Sequence, residues 1–169
     1  MSDTPITIVD EHDNILRQGS KDEAQTKGLW HRVVRVMVED EDGHILIQKR
    51  NADKQLYPGC WDNSAAGHVD AGESYRQAAK RELHEEIGIT PELLEVDYYQ
   101  AKGVFHGRKL NRFVRLYKAV VPHSTSFTIQ KAELSEVKWV TLAELRALVG
   151  QHPHQASDGL HEVCERLYT

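Results

Sequence analysis

The spacing of apolar positions changes several times along the chain. Ile6–Val9 and residues 15–18 flank an Asp/Asn-rich turn, which predicts a β-hairpin. Residues 20–27 predict a short helix, with Ser20 as cap and Glu23 three positions on, the spacing of a capping box. A second hairpin is expected from residues 32–39 and Ile45–Arg50 around Asp40-Glu41-Asp42-Gly43. Residues 51–63, with Pro58-Gly59, read as a loop, and further strands are expected at 98–102, 112–121 and 137–140. Thr141 and Glu144 open a helix to about residue 149, and residues 158–168 predict a terminal one. The elements do not alternate as β-α-β. They therefore predict an α+β fold with a mixed sheet between helices.

One further helix, residues 74–87, differs from the rest in its charge. Ser74 or Glu73 can open it, and Gly88 can close it in the left-handed conformation. At ~100° per residue, Glu82, Glu85 and Glu86 share one sector above Ala78 and Ala79, beside the apolar stripe of Leu83 and Ile87. Gln77, Lys80, Arg81 and His84 take the far side. Glutamate is a good helix former, and a run of it is ordinarily a solvated face. Here the carboxylates border the core side. Each like-charge neighbour costs roughly 0.2–0.5 kcal/mol on an exposed helix, and more as the site dries. Carboxylates at this density suit a hard divalent cation such as Mg²⁺, which offsets the repulsion.

Composition narrows the partners. The 169 residues are 40% hydrophobic and 28% charged, enough for one buried core and too few for two ordinary domains. The net charge of -5 and the lack of a Lys/Arg cluster argue against a nucleic-acid polymer as partner. No run approaches the ~18 apolar residues of a membrane span, since Arg35 interrupts the densest one, at 33–38. With no secretory leader at the N-terminus, and with Cys60 and Cys164 far apart, the expectation is a cytoplasmic protein with free thiols.

Residues 67–89 match the Nudix box at every restricted position: Gly67, Glu73, Arg81, Glu82, Leu83, Glu85, Glu86, Gly88 and Ile89. The chain thus resembles the Nudix hydrolases, and its flanking strands, the 54–62 loop and the segment ELSEVKWV resemble them too. The resemblance implies an α/β/α sandwich in a single domain over 1–169. Residues 1–28 would form an N-terminal hairpin and helix, 29–150 the core, and 151–169 a C-terminal helix. It implies cleavage of a diphosphate joined to another moiety, with Mg²⁺ or Mn²⁺ as cofactor. Carried over by position, Glu85 and Glu86 would bind metal with the Gly67 carbonyl, and Glu82 would be a ligand or the base. Arg81 and Glu73 would form a supporting ion pair. Glu133, six residues before Trp139, would add a metal ligand or help to activate water, with Glu136 as its rival. Arg50, Lys54 and Arg112 are candidate phosphate contacts, and Trp61, Tyr57 and Phe105 could stack on a base. The ordinary roles of these residues are surface charge and core or lid packing. Homodimers are common in the family.

A subgroup question remains in the flanks. His31-Arg32, residues 46–50, the Lys54–Pro58–Trp61 loop and Gly67-His68 look like isopentenyl-diphosphate isomerases, in which two histidines at such places bind metal. That group uses a cysteine just before the Gly-His and a glutamate on a later strand. Here those places hold Ser64-Ala65-Ala66 and Leu110-Asn111-Arg112, with Cys60 too early. Isomerisation needs an acid/base pair on opposite faces of the carbon skeleton, so hydrolysis is the expected activity. A non-catalytic nucleotide-binding module is the other alternative, and it would have no need of all three glutamates.

Overall fold

The computed structural model describes residues 4–169. Its strands are β1 (Ile6–Val9), β2 (Ile15–Gly19), β3 (His31–Glu39), β4 (Ile45–Arg50), β5 (Trp61–Asp62), β6 (Ala65–His68), β7 (Leu94–Phe105), β8 (Arg108–Val120) and β9 (Leu134–Val140). The helices are α1 (Lys21–Lys27), α2 (Tyr75–Ile87), α3 (Leu142–Gln151) and α4 (Asp158–Leu167).

β3 organises one mixed sheet. Its whole length pairs in parallel with β8, from His31–Arg112 to Glu39–Val120. Its other edge is shared end to end by β1 at His31, β6 at Val33 to Val36, and β4 at Val38 and Glu39. Alternate side chains then serve opposite layers. Val34, Val36 and Val38 join Ala78, Ala79, Leu83 and Ile87 of α2. Val33 and Met37 join Leu145 of α3 and Leu160 and Val163 of α4. The result is an α/β/α sandwich. Arg35, between those valines, is buried on the α4 side and bonds the Tyr99 hydroxyl and Glu162.

Several boundaries differ from the sequence reading. The stretch expected as loop contains β5, and β6 follows it at Ala65. Both are short strands held by neighbours rather than by their own pattern. β7 and β8 are longer than expected, because His106 and Gly107 both take positive φ (47° and 80°) and close a two-residue hairpin turn. Glu23 does not reach back to complete a box with Ser20. Its carboxylate turns to Arg17 and Lys27, although Ser20 still caps α1. The boxes at Ser74/Gln77 and Thr141/Glu144 are complete. Both cysteines are free thiols, and no helix among the described residues is long and apolar enough to cross a membrane.

Candidate active site

α2 lies across the end of β6, fixed by the Ser74 cap at one end and by Gly88 (φ 76°) at the other. Glu86 points inward. It is 6% exposed, and its Oε1 accepts from the Ala66 backbone N–H and from Gln48 Nε2, both at 3.1 Å. Glu82, one turn earlier, lies directly over Gly67: a Cβ there would sit 2.2 Å from its carboxyl carbon. Only glycine admits this approach of side chain to backbone. Burial, reinforced by Glu82, pushes the Glu86 pKa well above the usual carboxylate range. Burial likewise raises Glu82 to about 7, against the opposing pull of Arg81. Glu85 is the outward member, with its side chain 55% exposed.

Arg81 does not occupy the far, solvated side that the helix wheel suggested. Its long side chain folds back over the box. Nε and Nη2 grip both oxygens of Glu73 at 2.8 and 3.0 Å, Nη2 also meets the His68 carbonyl at 3.0 Å, and Nη1 meets Glu82 Oε1 at 2.8 Å. The guanidinium thus ties helix, preceding loop and β6 together through a bidentate pair.

Glu133 approaches from the segment before β9. That segment is hung on the C-terminal end of α2 by Thr128 N–H to the Ile87 carbonyl and Gln130 N–H to the Glu86 carbonyl (3.1 and 2.9 Å). Glu133 pairs with Lys54 at 2.5 Å; burial pushes its pKa up, but this bond together with the charges of Lys54, Lys21 and Arg50 lowers it on balance. Glu136 instead sits in β9 opposite Lys49, exposed. Beside the box, His31 and His68 stack at 5.3 Å, and burial lowers both pKa values, His31 to about 4. His31 Nδ1–H donates to the Leu29 carbonyl at 2.9 Å, and Nε2 is buried with no partner.

A scan against family models matches the NUDIX domain over residues 29–161. The chain belongs to the Nudix family. Among curated relatives, it is 33% identical to isopentenyl-diphosphate Delta-isomerase 2 of Photorhabdus laumondii, over 89% of this chain and 85% of that one. It is also 33% identical to "Uncharacterized Nudix hydrolase YfcD" of Escherichia coli K12, over 84% and 76%. The solved structure of DR0079 from Deinococcus radiodurans shares the fold, with a TM-score of 0.81 and 22% identity over 98% of this chain and 99% of that one.

The other residues singled out in this Nudix protein have separate settings. Arg50 is spent inside the sheet end, on Asp62 (3.1 Å) and the Leu56 carbonyl (2.9 Å). Arg112 is buried on Asp158 at 2.8 Å and Glu162 at 3.3 Å. Trp61 is core, with Lys138 and Lys49 over its ring at 4.3 and 5.6 Å. Tyr57 and Phe105, with ring centres 4.4 Å apart, line a cleft of about 520 Å³ that Cys60 and Asp158 also border. Sequence reasoning missed Gln48, although one amide in an apolar strand is a signal. It also missed Lys21, whose charge favours the ionised forms of Glu82 and Glu133 and disfavours protonation of His68. Nothing local in the sequence marks that lysine.

Oxygen donors dominate the box, and they suit a hard cation. Glu86, buried, and Glu82, largely buried, are raised in pKa first by burial and then by a carboxylate neighbour, Glu82 for the one and Glu85 for the other, so a divalent charge fits where protons otherwise go. The residues present fit Mg²⁺ or Mn²⁺.

Proposed function

We propose that this Nudix protein hydrolyses a diphosphate linkage in a nucleoside diphosphate derivative or a related small pyrophosphate. The observation that carries the reading is the carboxylate of Glu82 laid on the Gly67 backbone, beside the buried Glu86. Glu82, Glu85, Glu86, the Gly67 carbonyl and Glu133 would hold Mg²⁺ or Mn²⁺. Such an ion neutralises phosphate oxygens and lowers the pKa of water. Glu82, as a ligand of that ion or as the base beside it, would orient or deprotonate the water that attacks phosphorus. The anhydride P–O bond breaks, and two phosphorylated products and one proton result. Arg81 and Gln48 position the two carboxylates, and Lys54 and Lys21 supply cations for the phosphates. The Tyr57–Phe105 cleft offers a flat apolar wall to the organic moiety.

A second reading, isomerisation of a prenyl diphosphate, is favoured by the 33% identical isomerase and by the stacked His31–His68 pair. Against it, Ser64 Oγ is consumed by the Leu46 carbonyl, Leu110 is buried, and Arg112 is bound by Asp158. The expected acid/base pair is absent from those positions. Assaying phosphate and pyrophosphate release with Mg²⁺ across nucleotide sugars, dinucleotides, nucleoside di- and triphosphates and prenyl diphosphates tests both readings. Hydrolysis of one class is expected. Conversion of isopentenyl to dimethylallyl diphosphate without hydrolysis of any substrate would replace the first reading by the second.

A further inference from the structure

We propose that Asp40, His44 and His123 form a second cation site, outside the box, that takes Zn²⁺ or another transition-metal dication. Asp40 directly follows β3, and its Oδ1 accepts the backbone N–H groups of Asp42 and His44 at 2.9 and 2.8 Å, building the turn into β4. The turn needs no more than that oxygen. Oδ2 is turned the other way, where two imidazole Nδ1 atoms face it, His44 at 2.8 Å and His123 at 2.6 Å. The Asp40 side chain is fully buried, while the two histidine side chains are 38% and 53% exposed. Among the described residues this is the one His/Cys/Asp/Glu trio whose ligand atoms all lie within 4.8 Å of one another.

The trio is assembled from distant parts of the chain and held from outside. His123 lies beyond the end of β8. Its backbone N–H donates to Glu41 Oε2 at 2.9 Å, and its ring stacks on Trp139 at 5.3 Å. The His44 and His123 rings meet edge-on with centres 5.4 Å apart. Two imidazole nitrogens and one carboxylate oxygen make a borderline donor set, suited to Zn²⁺, Co²⁺ or Ni²⁺ and poorly suited to Mg²⁺. An ion with bonds of ~2.0–2.2 Å requires donors a little further apart than these hydrogen-bond distances. Small rotations of the two exposed rings around the fixed Asp40 supply that opening. Each imidazole would bind through Nδ1 and carry its remaining proton on Nε2. The Asp40 backbone contacts then orient the ligand.

The location gives the site a role. His123 starts the segment that bonds the end of α2 through Thr128 and Gln130 and finishes at Glu133. A bound ion would clamp the near end of that segment to the β3–β4 turn and steady its far end. The test uses the full, untagged chain in excess Mg²⁺, which keeps the box glutamates occupied, titrated with Co²⁺ and then Zn²⁺. The expected result is one equivalent of Co²⁺ with the intense visible bands of a tetrahedral site, displaced by Zn²⁺, and a Zn²⁺-dependent rise in Tm. His44→Ala and His123→Gln should each weaken binding by roughly tenfold or more, as loss of a ligand does. Glu86→Gln should leave it intact. Binding unchanged in the double histidine variant, binding lost in Glu86→Gln, or no binding in excess Mg²⁺ would each overturn the proposal. Far-UV circular dichroism of the variants without Zn²⁺ separates lost binding from lost fold.

Discussion

Glu82 and Gly67 share a contact that only glycine at position 67 permits, because the glutamate side chain occupies the place of a Cβ. Gly67 has ordinary backbone angles, so alanine there is sterically excluded by Glu82 and not by φ. Gly67→Ala should therefore leave Tm nearly unchanged and swing Glu82 aside. A displacement of about 1 Å at a reacting group commonly costs about 10²-fold in rate, and kcat should fall by that order. A Tm loss in proportion to the kcat loss would place the effect in the fold instead. Glu82 also links stability to pH. Its folded pKa of about 7 exceeds the ordinary glutamate value of 4.5, so the folded state holds the proton more tightly. Its contribution is fully present below about pH 4.5 and is lost as pH rises through 7. In EDTA at pH 8, Glu82→Gln should raise Tm over the wild type, by roughly 2–4 °C for each kcal/mol relieved. The gap should close by pH 5. Thermal melts of both proteins at the two pH values decide it, and a lower Tm for the variant at pH 8 would mean that the Arg81 bond outweighs burial.

The segment from 122 to 133 acts as a bracket between α2 and the β4–β9 end of the sheet. It is bonded to the last carbonyls of α2 and to Asn51. Glu133 emerges from it toward Lys54, whereas Glu136 is already in β9 and points outward. Glu133→Gln should lower kcat at least tenfold more than Glu136→Gln, by analogy with other ligand or base losses. The Glu133–Lys54 pair is partly exposed, so its loss should change stability by no more than ~1 kcal/mol. Steady-state kinetics with parallel melts test this, and equal kcat values would remove Glu133 from the site. The two glutamates were separable in the sequence only by family spacing from Trp139. The strand start at Leu134, set by pairing with Arg50, is what separates them physically.

For the molecule as a whole, the acids of the box form a charge defect that the fold tolerates and a cation should relieve. EDTA should abolish activity, and Mg²⁺ or Mn²⁺ should restore it. The rise in Tm on adding Mg²⁺ should grow between pH 6 and pH 8, because protons and cations compete for Glu82 and Glu86. Glu86→Gln should lose most of that rise and reduce turnover by about 10²-fold or more. A Mg²⁺ effect on Tm that is equal in wild type and variant would put the ion elsewhere.

The mixed sheet, the helix at 74–87, its left-handed stop at Gly88 and the acids it carries were all legible in the chain. They are local matters of period, cap and spacing, and the Nudix box concentrates them in 23 consecutive residues. The setting of the longer-range residues was not legible. Arg112, Arg50 and Trp61 read as candidate substrate contacts, yet the packed fold sets them against Asp158 of α4, Asp62 of β5 and the core. Gln48 reaches the site because β4 borders the central strand β3, and Lys21 because α1 follows a hairpin, β1–β2, whose first strand pairs with β3. Asp40, His44 and His123 meet only where β8, running parallel to β3, returns the chain to the β3–β4 turn. Short-range sterics and hydrogen bonds write themselves into consecutive residues, whereas a buried charge finds its partner through the register of strands far apart in sequence.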